Sequence, residues 1–301
     1  MSAPDGRAVV AAIDGRTGGA EALAYAVAEA LRGGDSLHLV HVWPGASQHS
    51  PVAVGALHTG ARAILDRSVA SARVLAPDLP MTTELVVGPR GAGILTAARV
   101  GRLLVVGRSH RARVEAPLGG TPAALATRAE CPVVVVPSAW TTPPGPGRVV
   151  VGMKARTHAR ELLSHAFGIA RERGAGVVVV TAWELYDPAM DRAEVRDHAD
   201  EWVAEGVSVL EDLVQEWRGS FPSVPVELQV THGHAATVLV HASVGADLLI
   251  VARHACAVPP YGHLGSTAQT LLRTSRCPVE VVPAGVVADA PNGPTRALRS
   301  T

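Results

Sequence analysis

The chain has 301 residues, 48% of them hydrophobic, and its 27 basic and 27 acidic side chains give a formal net charge of zero. That length suffices for two ordinary domains with separate cores, and the charge balance gives no electrostatic argument for nucleic acid or an anionic membrane as a partner. No apolar run reaches the roughly 18 residues of a membrane span. Residues 1–12 lack the basic start and apolar stretch of a secretory signal, so the expected compartment is the cytoplasm. Cys131, Cys256 and Cys277 are too few and too scattered for a disulfide framework.

In chain order, β-branched runs predict strands at 8–13, 37–43, 83–87, 103–107 and 133–136. Helical patterns lie between them near 18–32, 56–76, 91–100 and 121–129. In the second of these Leu57, Ala61, Ile64, Leu65, Val69 and Ala72 recur at helical spacing and form one apolar stripe. The stretch Ser138–Gly147, with Pro143, Pro144, Gly145, Pro146 and Gly147, reads as a linker. Strands return near 148–153, 177–183, 226–231, 248–252 and 278–282. The longest helix carries Val195, Ala199, Trp202, Val203, Val209, Leu210, Leu213 and Trp217 on one face. Residues after about 286 lack periodicity and read as a disordered tail.

Strands that are apolar at nearly every position and separated by helices imply a parallel sheet covered on both faces. The expected fold class is therefore α/β, with two doubly wound, five-stranded, Rossmann-like domains in tandem. Their expected bounds are residues 1–138 and 148–285, with a linker at 139–147 and a tail at 286–301. The halves repeat one another. Arg7–Thr17 returns as Arg148–Thr157, Arg102–Arg108 as Asp247–Arg253, and Cys131–Pro137 as Cys277–Pro283. Such a period is a whole domain rather than a solenoid unit.

In open parallel sheets ligands bind beyond the carboxyl ends of the strands, where strand order reverses. In the first half this selects Asp14, the Val42-Trp43 strand end and the loop that follows Gly107. The loop runs from Gly107 through Gly119-Gly120 to a helix opening at Thr121, and a glycine-bearing loop entering a helix presents free N–H groups to a phosphate. Arg108, Arg111 and Arg113 add positive charge.

These residues together resemble the universal stress protein family. Its pattern is an Asp after strand one, then Gly, two residues, Gly, nine residues and Gly followed by Ser or Thr after strand four, with a Cys-Pro-Val-x-Val-Val-Pro fifth strand. The resemblance covers both halves nearly end to end and implies a tandem member of that family. It implies ATP or a related adenine nucleotide as ligand, with no metal beyond the Mg that accompanies ATP. Asp14 matches the nucleotide-contacting Asp, Val42 an adenine-contacting position and Gly107 the first motif glycine. His110 stands where the second glycine belongs, and Gly120-Thr121 follows at family spacing. Gly119 is the other candidate counterpart of Gly265, because Gly120 to Cys131 is one residue shorter than Gly265 to Cys277. Glycine at the His110 position would allow φ > 0 and close approach to phosphate, which His tolerates only at a cost.

The second half departs further. Lys154, the only lysine, replaces Asp14, and Ala252 and Ala255 replace both glycines, while Gly265-Ser266 remains. Exchanging carboxylate for ammonium removes an acceptor for a ribose hydroxyl or adenine amino group, so this half is expected not to bind. Family members pair through strand five, which suggests that Val133–Val136 pairs with Val279–Val282 in an intramolecular pseudo-dimer, with Glu280 on a face left free by alternation. Higher assembly and an unidentified protein partner are compatible with this.

Other residues read as ordinary. His38 with His41, and His232 with His234 (taken as one strand face), lack a third ligand at metal spacing and read as surface or loop histidines. Trp43 and Trp183 occupy equivalent strand ends and read as packing. Cys131 and Cys277 precede Pro in equivalent places and read as structural, while Cys256 lies in the second half's loop. No nucleophile elbow or phosphate-loop Gly-Lys-Ser/Thr is present. The expected function is a non-enzymatic stress-response or signalling protein that binds ATP in its first half as a regulatory ligand. The alternative is an interaction or scaffold module with both sites degenerate.

Overall fold

The structure, a computed structural model, describes residues 8–15, 19–43, 51–108, 121–145, 147–154, 159–185, 187–253 and 264–283. The first half runs β1 (Ala8–Ala12), α1 (Gly19–Gly33), β2 (Leu37–Trp43), α2 (Pro51–Leu75), β3 (Met81–Val87), α3 (Arg90–Ala98), β4 (Gly101–Arg108), α4 (Thr121–Arg128) and β5 (Val133–Pro137). The second runs β6 (Arg148–Met153), α5 (Ala159–Arg173), β7 (Gly176–Trp183), α6 (Pro188–Ser220), β8 (Val226–His232), α7 (Ala235–Ala242), β9 (Leu248–Ala252), α8 (Ser266–Thr274) and β10 (Val279–Val282).

All strands join one ten-stranded sheet in the order β3-β2-β1-β4-β5-β10-β9-β6-β7-β8. Pairing is parallel within each half, and the predicted fold class is the observed one. β5 and β10 alone run antiparallel, with Val135 opposite Val279, Val134 opposite Glu280 and Val133 opposite Val281. Each fifth strand thereby covers an edge that the other half would otherwise expose. Val133 to Val136 are each no more than 2% exposed, and burying a valine side chain contributes up to about 1.5–3 kcal/mol.

Two apolar layers follow from strand alternation. α1, α2, α5 and α6 cover one face over Val9, Ala11, Val134, Val149 and Val151. α3, α4, α7 and α8 cover the other over Val10, Val133, Val135, Val150 and Val279. α1 buries Ala22, Leu23, Ala26, Val27 and Ala30 at helical spacing. Along α2 the predicted stripe buries Ala61, Leu65 and Ala72, with Ile64 and Val69 partly buried.

α6 differs from its predicted stripe. It begins at Pro188, capped by Asp187, whose side chain accepts from the amides of Ala189 and Met190. Only Leu210 and Val214 are buried, and Trp202 is 39% exposed. Thirty-three residues extend about 50 Å, well past what a seven-residue strand can cover.

Glu280 also departs from expectation. It is 2% exposed, because the face that alternation assigns to it lies under α1 and α5. Its Oε1 lies 2.7 Å from His165 Nε2 on α5. His38 and His41 are likewise buried rather than at the surface. The predicted linker is anchored too: Trp140 packs edge-on against Tyr25, 5.7 Å between centroids, and the Ala139 amide donates to Glu21. No helix among the described residues is long and apolar enough to cross a membrane. The predicted tail at 286–301 lies outside the described residues.

Candidate functional site

Strand order reverses between β1 and β4 in the first half and between β6 and β9 in the second, which opens a crevice at each pair of carboxyl ends. Pairing of Ala12 with Val106 brings Asp14 and Gly107 to the same end of neighbouring strands. Asp14 is half-buried. Its Oδ1 lies 3.6 Å from where a Cβ on Gly19 would stand, at the first residue of α1. A carboxylate there is favoured by the helix dipole. Gly15 follows with φ +71°, and a Cβ on it would approach Ile64 Cδ1 to 2.7 Å, so the turn that presents Asp14 depends on glycine.

His41 supplies a constraint that sequence reasoning missed. Its Nδ1–H donates to the carbonyl of Ile13 at 2.6 Å and so fixes the peptide leading into Asp14. In the second half Thr181 Oγ1 donates to the Met153 carbonyl at 2.9 Å, ahead of Lys154. His41 and Thr181 occupy equivalent positions of β2 and β7, and each donates to the last carbonyl before the position of Asp14 or Lys154. The Val42 side chain is 3% exposed and packs against α3, where a Cβ on Gly93 would meet it at 3.0 Å. Gly107 pairs with Val136 inside β4, and Thr121 opens α4. His110, Gly119, Gly120, Arg111 and Arg113 lie outside the described residues.

The Arg108 guanidinium reaches into the second half and donates to the carbonyls of Leu272 and Ser275, at 3.2 and 2.7 Å. Arg253, its counterpart after β9, does the reverse: Nη1 donates to the carbonyls of Ala126, Thr127 and Ala129 in the first half, at 3.3, 3.0 and 2.7 Å. Each arginine meets the carboxyl end of the opposite half's fourth helix, where unpaired carbonyls and the negative dipole end favour a cation.

A second cross-half contact lies under α1 and α5. Arg173 donates to the Tyr25 hydroxyl and to Glu29 Oε1, both at 2.6 Å, and these side chains are nearly buried. Burial pushes the Tyr25 phenol far up, with Glu29 and Glu280 adding to the shift against the pull of Arg173. Burial would raise Glu280, yet His165, then Arg173 and Arg102, hold its carboxyl below the ordinary 4.5. Burial would lower His165, yet Glu280 raises it above the ordinary 6.5. Both directions describe a charged pair. The buried thiols of Cys131 and Cys277 are pushed up to about 11 and about 12, chiefly by burial. Cys256 lies outside the described residues.

In the second half Lys154 is exposed, β9 ends at Ala252, and Gly265 caps α8 with no side-chain hydrogen bond. His232 ends β8, whereas His234 caps α7, so the two do not share a strand face. His232 Nε2 lies 2.9 Å from Asp191 Oδ2. Among the described residues no group of three or more His, Cys, Asp or Glu is placed to hold a metal. A cleft of about 460 Å³ runs beside α7, lined by Arg148, Thr231, His234, Thr237 and His241. It belongs to the β8 edge of the sheet and not to the crevice at Asp14.

The family model for the universal stress proteins matches the chain twice, at residues 6–137 and 146–283. The chain belongs to the universal stress protein family. A universal stress protein of Mycobacterium tuberculosis (strain ATCC 25618 / H37Rv) is 29% identical over 210 residues, which are 67% of this chain and 69% of that protein. Another from Mycobacterium bovis (strain ATCC BAA-935 / AF2122/97) is 27% identical over 210 residues, 67% of this chain and 65% of its own length. The crystal structure of a universal stress protein from Archaeoglobus fulgidus DSM 4304 matches 93% of this chain and 97% of its own, with TM-score 0.67 at 16% identity. At that identity the match bears on the fold, and it extends across both halves of the family tandem.

Proposed function

We propose that this universal stress protein binds ATP or a related adenine nucleotide in the crevice of its first half, as a regulatory ligand, and that the second half does not bind. The observation that carries the reading is Asp14, held at the β1–β4 reversal by His41, Gly15 and the start of α1, beside Gly107 on the neighbouring strand. Asp14 would accept from a ribose hydroxyl or adenine amino group, the Val42 strand end would meet the base, and Gly107, Gly119, Gly120 and Thr121 would enclose the phosphates, with His110 beside them. Mg would enter only with the nucleotide. Lys154 in the equivalent place offers no acceptor. With no acid–base pair or nucleophile assigned, ligand binding would act by shifting the population of a partner-binding state.

The alternative, an interaction module without nucleotide, draws support from Arg108, whose guanidinium holds α8 carbonyls. Mass spectrometry of ligands released from gently purified protein separates the two. Co-purified adenine nucleotide supports the proposal. Its absence, with no saturable rise of melting temperature at millimolar ATP, overturns it.

A further inference from the structure

The repeat places an arginine at the end of strand four in each half, Arg108 as the last residue of β4 and Arg253 directly after β9. Both side chains cross the β5–β10 junction and meet the carboxyl end of the other half's fourth helix. The consequence is greatest for α4. This helix has only eight residues, Thr121 to Arg128. At its amino end stands Thr121. At its carboxyl end Arg253 gathers the carbonyls of Ala126, Thr127 and Ala129. A helix this short has little intrinsic stability, so the orientation of its amino-terminal N–H groups depends on what holds its far end.

We infer that Arg253, a residue of the second half, is a positioning residue for the first half's nucleotide site: it anchors α4 from behind so that the Thr121 end meets the phosphates. The inference rests on the nucleotide reading above. It explains why a half whose own crevice has lost Asp and both glycines retains Arg253 in this geometry. It also makes the tandem arrangement part of the site, because the first half alone lacks the anchor. By linkage, nucleotide held at Thr121 strengthens the Arg253 contact as much as that contact strengthens binding.

The action of Arg253 runs through the phosphate end of the site, so it distinguishes ligands. The experiment is isothermal titration of the full chain and its Arg253→Ala, Arg253→Lys and Asp14→Ala variants with ATP and, separately, with adenosine, well below each melting temperature. Arg253→Ala should weaken ATP binding by roughly five- to tenfold, in the usual range of coupling between sites, while adenosine binding stays within about twofold. Arg253→Lys, which keeps the charge but not the fork, should fall between and serves if the alanine variant does not fold. Asp14→Ala should weaken both ligands. If the parent binds ATP and both Arg253 variants bind it as the parent does, or lose ATP and adenosine equally, the inference is overturned. If the parent binds neither ligand, the nucleotide reading fails and the inference falls with it.

Discussion

The two halves share one topology and differ at three linked places, and the differences separate what the fold requires from what a ligand requires. Where the first half has Asp14 the second has Lys154, and where β4 ends in Gly107-Arg108, β9 ends in Ala252-Arg253. At the junction the first half places Tyr25 on α1 and Val134 on β5, whereas the second places His165 on α5 and Glu280 on β10. The features common to both halves are contacts within the fold: the carbonyl-fixing bond from His41 or Thr181, the arginine crossing the junction, and the buried Cys-Pro entry to strand five. Crevice residues are the part that diverged, and on the proposed reading one copy keeps a site while both keep the fold.

The largest effect is expected at the buried junction. Glu280→Ala takes the buried carboxylate away from His165, Arg173 and Arg102 and should cost about 3–5 kcal/mol in urea unfolding. The double variant His165→Phe with Glu280→Val imitates the apolar first-half arrangement and should recover most of that loss. Failure of the double variant to recover would show that the pair does more than satisfy itself.

The same pair sets a pH window. His165, raised from 6.5, contributes stability that is complete below 6.5 and is lost as pH rises through its folded value. Glu280, lowered from 4.5, contributes stability present above 4.5 and lost as pH falls through its folded value. The parent should therefore lose stability relative to the double variant on both sides of that interval, as measured by unfolding at a series of pH values. Parallel curves would contradict a charged pair.

Arg108→Ala removes two charge-assisted bonds to the α8 end and should cost about 1–3 kcal/mol, with amide exchange accelerating in α8 before α4. The smallest change is expected from His41→Thr, which copies the second half. Retention of a bond to Ile13 should hold the loss below about 1 kcal/mol, whereas His41→Ala should cost more and weaken ATP binding by loosening Asp14.

Strand positions were legible because parallel strands buried on both faces are continuous apolar runs; β2, β6 and β9 fall where the pattern places them. The β5–β10 pairing was legible from Val133–Val136 and Val279–Val282 through the family resemblance. What the sequence could not show is what covers a face. Alternation put Glu280 on the correct side of β10, but only the fused sheet brings α1 and α5 over it. The contacts of Arg108 with α8 were not legible because their partners lie more than 160 residues away in sequence. His38 read as surface because its partners, Thr82 and Glu84, belong to a different strand. Asp14 was legible because its chemistry is local: a strand end, a glycine and a helix start.

The most direct test of the claim that one half kept a site and the other lost it is the stoichiometry of ATP binding to the full chain by calorimetry. The account predicts one ATP per chain, abolished by Asp14→Ala and unchanged by Lys154→Ala. Two ATP per chain, or a single site that survives Asp14→Ala and disappears with Lys154→Ala, would contradict it.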